Sequence, residues 1–120
     1  MSNKAEPIQI YHNPKCSKSR ATMSIIDEHG VTTEVIEYLV SPPTTGELKR
    51  ILDLLNLEPR ELMRKHEAPY KDNNLGDETL SDEQLIQAMV DNPILIERPI
   101  VIKGNRAVIG RPPEKILDLL

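Results

Sequence analysis

The sequence predicts an α/β fold built on a mixed four-stranded sheet. Three features carry that reading: a β-α-β opening, a helix-rich middle marked by two capping boxes, and a β-β-α close. With 120 residues the chain reads as one domain, 1–120, carrying a helical insertion at about 44–92. It has no Phe and no Trp, so its core must be assembled from Ile, Leu, Val, Met and Ala.

Ile8-Gln9-Ile10-Tyr11 reads as a short buried strand, stopped by the turn His12-Asn13-Pro14-Lys15. Residues 17–29 form a helix that Gly30 closes in the left-handed conformation. Residues 34–40 give a second strand ended by Ser41-Pro42-Pro43, and a strand–helix–strand unit of this length favours parallel pairing. In the middle, Thr44-x-x-Glu47 is a capping box ahead of Leu48, Ile51, Leu52 and Leu55 at helical spacing. Pro59 opens a short helix through Leu62 and Met63, and residues 66–80 read as an irregular polar connection. Ser81-x-x-Gln84 is a second capping box, for a helix that Asn92-Pro93 ends. Ile100-Val101-Ile102 and Ala107-Val108-Ile109 flank Lys103-Gly104-Asn105-Arg106, a hairpin signal. Pro112-Pro113 then starts a last helix carrying Ile116, Leu117 and Leu120. The order is that of a thioredoxin-like fold with extra helices between its halves.

Charged residues make up 28% of the chain and the formal net charge is −4, which argues against a general nucleic-acid or membrane-surface binder. No apolar run approaches the length of a membrane span, and no apolar signal region follows Met1-Ser2-Asn3-Lys4; the expected compartment is the cytosol. Cys16 is the single cysteine, so no internal disulfide can form, and any redox chemistry there must be completed by a thiol from outside the chain.

Cys16 follows strand and turn and precedes a helix. A thiolate so placed meets unpaired backbone N–H groups and the positive end of the helix dipole, and both lower its pKa. His12, Lys15, Lys18 and Arg20 surround it, and no Asp or Glu occurs from Pro7 to Ile26. The same geometry suits an oxyanion. A buried structural cysteine is the plainer alternative, but burial amid so many charged and polar groups is expensive. A metal site is disfavoured, because His12 and Cys16 are too few ligands and His29 and His66 lie in no ligand spacing. A C-x5-R phosphatase loop would need Arg where Thr22 stands. Cys16-x-x-Ser19 has the spacing of a dithiol motif with Ser in place of the second cysteine. Ser19 is then either a first-turn residue satisfying a backbone N–H or a hydrogen-bond partner of the Cys16 thiolate.

Arg98 and Arg111 stand at equal distances from the centre of Gly104-Asn105, so a hairpin turning there sets them opposite one another. Like charges so placed are destabilising. Each precedes a proline, which holds it extended. A bound oxyanion gripped by both guanidinium forks would account for the pair; solvated arginines, with Glu97 and Glu114 as ion partners, are the alternative. Arg60 and Arg64, one helical turn apart, are a third candidate, and helix arginines of this kind are ordinarily solvated.

Five segments, in order and spacing, resemble the glutaredoxin-coupled arsenate reductase (ArsC) family: Y-H-N-P-K-C-S-K-S-R from Tyr11, L-M-R-K-x-E-A-P-Y from Leu62, L-S-D-E-Q-L-I-Q-A-M from Leu80, N-P-I-L-I-E-R-P-I-V from Asn92, and R-P-P-E from Arg111. The resemblance runs from Ile8 to Leu120. It is to a short ArsC-like branch, since Ser17-Lys18 replace the Gly-Thr of the plasmid-borne enzymes. It implies Cys16 as nucleophile, His12 as the residue that lowers its pKa, and Arg64, Arg98 and Arg111 as the oxyanion-binding set, favouring Arg64 over Arg60. It implies a cis Arg98-Pro99 bond. It implies no bound cofactor. Arsenate is the implied substrate, and glutathione and glutaredoxin are the external reductants: glutathione attacks the arsenylated thiol and glutaredoxin completes reduction to arsenite. Two other classes stay open. An Spx-type transcription regulator shares the fold but commonly carries C-x-x-C, and a general monothiol glutathione-dependent oxidoreductase would need no oxyanion site.

Overall fold

The computed structural model describes residues 7–120; the segment Met1-Ser2-Asn3-Lys4, read above for a signal region, lies outside them. The chain forms two compact units. One takes the described residues through Ser41 together with Arg98–Leu120, and the other is Pro42–Glu97.

The first unit is built on a four-stranded sheet of β1 (Ile8–Tyr11), β2 (Thr33–Ile36), β3 (Ile100–Lys103) and β4 (Arg106–Ile109), in the order β2-β1-β3-β4. β1 pairs parallel with β2 and antiparallel with β3, so the sheet is mixed, as the sequence predicts. Helix α1 (Ser17–Glu28) joins the parallel pair, and Gly30 follows it at φ 64°. Thr22 and Ile26 bury one stripe of α1. Ile26 joins Ile8, Ile10, Val101, Ile116 and Leu119 in one apolar cluster between helix, sheet and C-terminal segment. Each such side chain withdrawn from water contributes about 1.5–3 kcal/mol before the entropy of ordering it is counted.

Two local readings change here, and the predicted hairpin gains a turn type. The second strand is four residues long rather than running to Val40, because Val40 and Ser41 both donate to the carbonyl of Glu37 and close a turn instead of a ladder. That turn buries Tyr38 completely. The last segment, Pro113–Leu119, is a 3₁₀ helix, so Ile116 and Leu119, three residues apart, share its buried side while Leu117 faces solvent. In the hairpin, Gly104 takes φ 61° and Asn105 does not take a positive φ, the pattern of a type II′ turn.

The second unit is helical: α2 (Thr45–Leu55), α3 (Pro59–Leu62), α4 (Ala68–Asp72) and α5 (Asp82–Asp91), then a 3₁₀ turn over Pro93–Leu95. Both expected capping boxes form, with Glu47 N donating to Thr44 Oγ1 (3.1 Å) and Gln84 N to Ser81 Oγ (3.2 Å). The stretch read as irregular contains α4. The loop after it is held by Arg60, which donates to Tyr70 Oη (3.1 Å), to the Asp77 carbonyl (3.1 Å) and to the Leu75 carbonyl. Arg60 is therefore a structural clasp and not a solvated helix residue. No described helix is long and apolar enough to cross a membrane.

Two stability outcomes follow from these contacts. Arg60→Ala strands two carbonyls and a phenol, and should cost about 1–3 kcal/mol in urea unfolding, with hydrogen exchange accelerating first over residues 70–77. In Gly110→Ala the new Cβ would lie 2.7 Å from Thr22 Oγ1 and 3.0 Å from Pro99 Cγ, an overpacking that should cost about 1–3 kcal/mol. Gly46→Ala, with only one atom at 4.0 Å, should instead match or exceed the parent in melting temperature.

Candidate active site

Cys16 is the residue from which α1 departs. Its backbone is extended (φ −95°, ψ 124°), its carbonyl accepts from Arg20 N (3.0 Å), and its N–H closes a turn onto the Asn13 carbonyl (2.9 Å). Pro14 and the Asn13 side chain, which accepts from Lys15 N at 3.0 Å, shape that turn. The sulfur, partly exposed, lies over the first turn of the helix. Burial alone would raise its pKa. The backbone N–H of Ser19, the guanidinium of Arg98 and the backbone N–H of Lys18 act the other way and prevail, so the thiol ionises below its ordinary range.

Arg98 reaches this point from the foot of the hairpin. Its guanidinium is held above its usual pKa: burial works against the charge, and hydrogen bonding to Cys16 and the proximity of Tyr38 outweigh it. Arg111, two residues beyond the ladder pair Ile100↔Ile109 as Arg98 is on the other strand, donates from Nη1 to the Arg98 carbonyl (3.1 Å). The facing pair inferred from the hairpin therefore exists, and one arginine braces the backbone of the other. Both Arg98-Pro99 and Arg111-Pro112 are cis; the second was not anticipated. Glu97, considered above as an ion partner for the pair, accepts from Arg64 (2.9 Å).

Ser19 is fully buried. Its hydroxyl accepts from Asn13 N (3.1 Å) and meets His12 Nδ1 at 2.7 Å, so what Ser19 directs at the sulfur is its backbone N–H. With one lone pair taken by Asn13, the hydroxyl keeps a proton and a second lone pair, so either tautomer of His12 satisfies the contact. Burial holds His12 below the ordinary histidine pKa, with Glu37 opposing and Arg20 reinforcing. At neutral pH the ring is uncharged.

Arg64 belongs to the helical unit. Its backbone N–H donates to the Leu95 carbonyl (2.7 Å), beside a bridge between Met63 and Ile96. Its guanidinium meets Glu67 (3.1 Å), Glu97 (2.9 Å) and His66 Nε2 (3.1 Å), with only 11% of the side chain exposed. The Arg64-x-x-Glu67 spacing signalled one of these partners. Tyr38, beside Arg98, went unread because residues 34–40 looked like one strand. Among the described residues no group of His, Cys, Asp and Glu is arranged to hold a metal ion.

These shifts give stability a sign with pH. His12, depressed in the fold, contributes stability fully present above the unfolded histidine pKa near 6.5 and lost as pH falls through its folded value. Cys16, also depressed, contributes stability fully present above the unfolded thiol pKa and lost as pH falls through its own folded value. Melting curves should show His12→Asn flattening the acid limb, and Cys16→Ser losing the gain in stability that the parent shows as pH rises toward the unfolded thiol pKa. Alkylation by iodoacetamide should have its pH midpoint below that of a free thiol and shift upward in Arg98→Ala; an unmoved midpoint would mean that Arg98 does not set the thiolate.

The arrangement has counterparts among known proteins. Residues 11–119 match the model of the ArsC family. The uncharacterized protein YfgD of Escherichia coli K12 is 52% identical over 114 residues, covering 94% of this chain and 96% of that protein. The arsenate reductase of Neisseria meningitidis serogroup A is 44% identical, covering 94% and 97%. The solved structure of arsenate reductase from Vibrio cholerae superimposes with a TM-score of 0.93 at 50% identity, covering 97% of this chain and 99% of that one. The mixed four-stranded sheet is accordingly the thioredoxin-like one, and with its lone thiol at the head of α1 and its Arg-Pro hairpin this chain belongs to the ArsC family.

Proposed function

We propose that this protein is a thiol-dependent arsenate reductase in which Cys16 is the nucleophile and glutathione and glutaredoxin supply the electrons. The observation that carries the proposal is the Cys16 sulfur set against two helix N–H groups and the Arg98 guanidinium, which lower its pKa against the opposing effect of burial. The same donors that favour a thiolate favour an incoming oxyanion. The names of relatives such as that from Neisseria meningitidis support arsenate as the oxyanion.

The chemistry proceeds in three balanced steps. The Cys16 thiolate attacks arsenic(V), forming an S–As bond, while one arsenate oxygen takes up protons from solvent and leaves as water. No electrons change hands in that step. A glutathione thiolate then attacks the Cys16 sulfur; an S–S bond forms, the S–As bond breaks and its electron pair stays on arsenic. Two thiols have become a disulfide, arsenic(V) has become arsenic(III), and arsenite departs. The mixed disulfide on Cys16 has no second cysteine in the chain to resolve it, so glutaredoxin attacks the glutathione sulfur and returns the Cys16 thiol.

In this reading Arg98 and Arg111 neutralise the oxyanion during attack. Arg64 joins them on the strength of the sequence resemblance. His12, neutral and anchored through Ser19, fixes the loop that carries the nucleophile.

The test is arsenate-dependent NADPH oxidation with glutathione, glutaredoxin and glutathione reductase. Cys16→Ser should abolish it. Arg64→Ala, Arg98→Ala and Arg111→Ala should each lower kcat/KM by roughly tenfold to a thousandfold, since each removes a contact that strengthens as charge moves to oxygen. Arg→Lys should recover only part of the loss, because a point charge cannot copy a planar fork. Full activity in all three alanine variants would refute the oxyanion assignment, and turnover that survives Cys16→Ser would refute the nucleophile.

A further inference from the structure

A cavity of about 250 Å3 opens beside the loop that leads into Cys16, lined by His12, Asn13, Pro14 and Lys15 from that loop and by Glu37, Leu39 and Val40 from the turn after β2. It lies wholly within the sheet unit. Apart from His12, none of these side chains takes part in the chemistry above. Its lining combines one cation, one anion and three apolar groups with the polar His12 and Asn13. Leu39 and Val40 stand 39% and 79% exposed, a cost that covering them would remove. The volume suits a small molecule of a few residues and not a helix or strand of another protein.

The occupant is constrained from two sides. Its lining calls for a ligand with a carboxylate to meet Lys15, an ammonium to meet Glu37 and an aliphatic stem to lie on Leu39 and Val40. Its position sets an occupant against the four residues immediately preceding Cys16, which does not itself line the cavity, so a ligand seated there would extend along the loop toward the sulfur. We propose that this cavity seats the backbone of a small zwitterionic peptide thiol, and so orients the thiol that attacks Cys16. The proposal rests on the reading that Cys16 is serviced by an external thiol, and not on arsenate being the oxyanion. The covalent step is thiol exchange at the Cys16 sulfur: one S–S bond forms as the bond from that sulfur to its leaving group breaks, and the leaving group keeps the pair.

Two measurements test this without arsenate. S-methylglutathione, which cannot react, is titrated into the intact protein and followed by amide shifts. They should move at residues 12–15 and 37–40, and the Kd should weaken by roughly threefold to thirtyfold in Lys15→Ala and in Glu37→Gln, as loss of one charge-assisted contact predicts. Second, the Cys16 thiolate is reacted with oxidised glutathione, giving the Cys16–glutathione disulfide and a released glutathione thiolate, and in parallel with uncharged hydroxyethyl disulfide. Both variants should slow the first reaction by the same factor and leave the second within about twofold of the parent. Equal slowing of both reactions would mean that Lys15 and Glu37 act on the sulfur's own charge, and would overturn the site. So would unchanged rates, or shifts confined to residues away from the cavity. Positive results in both with no arsenate turnover would instead reject the oxyanion reading and leave the thiol site standing.

Discussion

A sulfur anion in a small protein needs fixed positive dipoles close by, and it needs them at no cost in rearrangement. At Cys16 they come from the start of α1, where the N–H groups of Lys18 and Ser19 have no carbonyl of their own to meet, and from Arg98. Much of the first unit serves that convergence. β1 delivers the chain to the loop, Asn13 and Pro14 turn it, and the Ser19 hydroxyl ties the loop's Asn13 N–H to the helix. The apolar stripe through Thr22 and Ile26 then fixes the helix on the sheet, so that its first turn cannot drift from the hairpin foot.

The second contribution is steric. Arg98 comes to the sulfur from the other side of the sheet order, through β3, and the foot of the hairpin must sit close to α1. Gly110 makes that approach possible: a Cβ there would meet both Thr22 and Pro99. Its N–H donates to the Pro99 carbonyl (2.9 Å), which extends the pairing of β3 and β4 by one bond to the threshold of the two arginines. Thr22, where a phosphatase loop would carry an arginine, has its hydroxyl turned back onto the Lys18 carbonyl (2.9 Å). In the proposed site Arg98 and Arg111 therefore come from a strand pair distant in sequence, and the loop itself supplies no arginine.

Much of this was legible in the residues. Short-range signals translated directly: Ile8–Tyr11 as a strand, the caps at Thr44 and Ser81, Gly104-Asn105 as the turn, and the helix start at Cys16 all depend on local backbone chemistry. What escaped depended on where side chains end. Residues 34–40 are rich in strand-forming Val, Ile and Tyr, but two N–H groups share the Glu37 carbonyl and curl the chain around Tyr38. Ser19 could be placed in a first turn, yet its preference for His12 and Asn13 over the sulfur is a matter of angstroms. Arg60 and Arg64 look alike in sequence and differ in three dimensions: one clasps carbonyls and the other lies between two carboxylates. The Arg64-x-x-Glu67 spacing points to one carboxylate, but no spacing marks Glu97 or the carbonyls that Arg60 holds.

The hairpin acts as a ruler. Arg98 and Arg111 owe their alignment to a turn of two residues, each arginine lying the same number of steps from Gly104-Asn105. Because side chains alternate between the faces of a sheet, one residue inserted into that turn would slide β4 by one step and set Pro112 or Gly110, in place of Arg111, across from Arg98. Inserted residues elsewhere on the surface can bulge into solvent, but at this turn the error is carried the whole length of the strand to the foot of the hairpin. The sequence there is consequently under a constraint of length that is independent of its chemistry: the loop can exchange its residues for other turn formers more readily than it can gain or lose one.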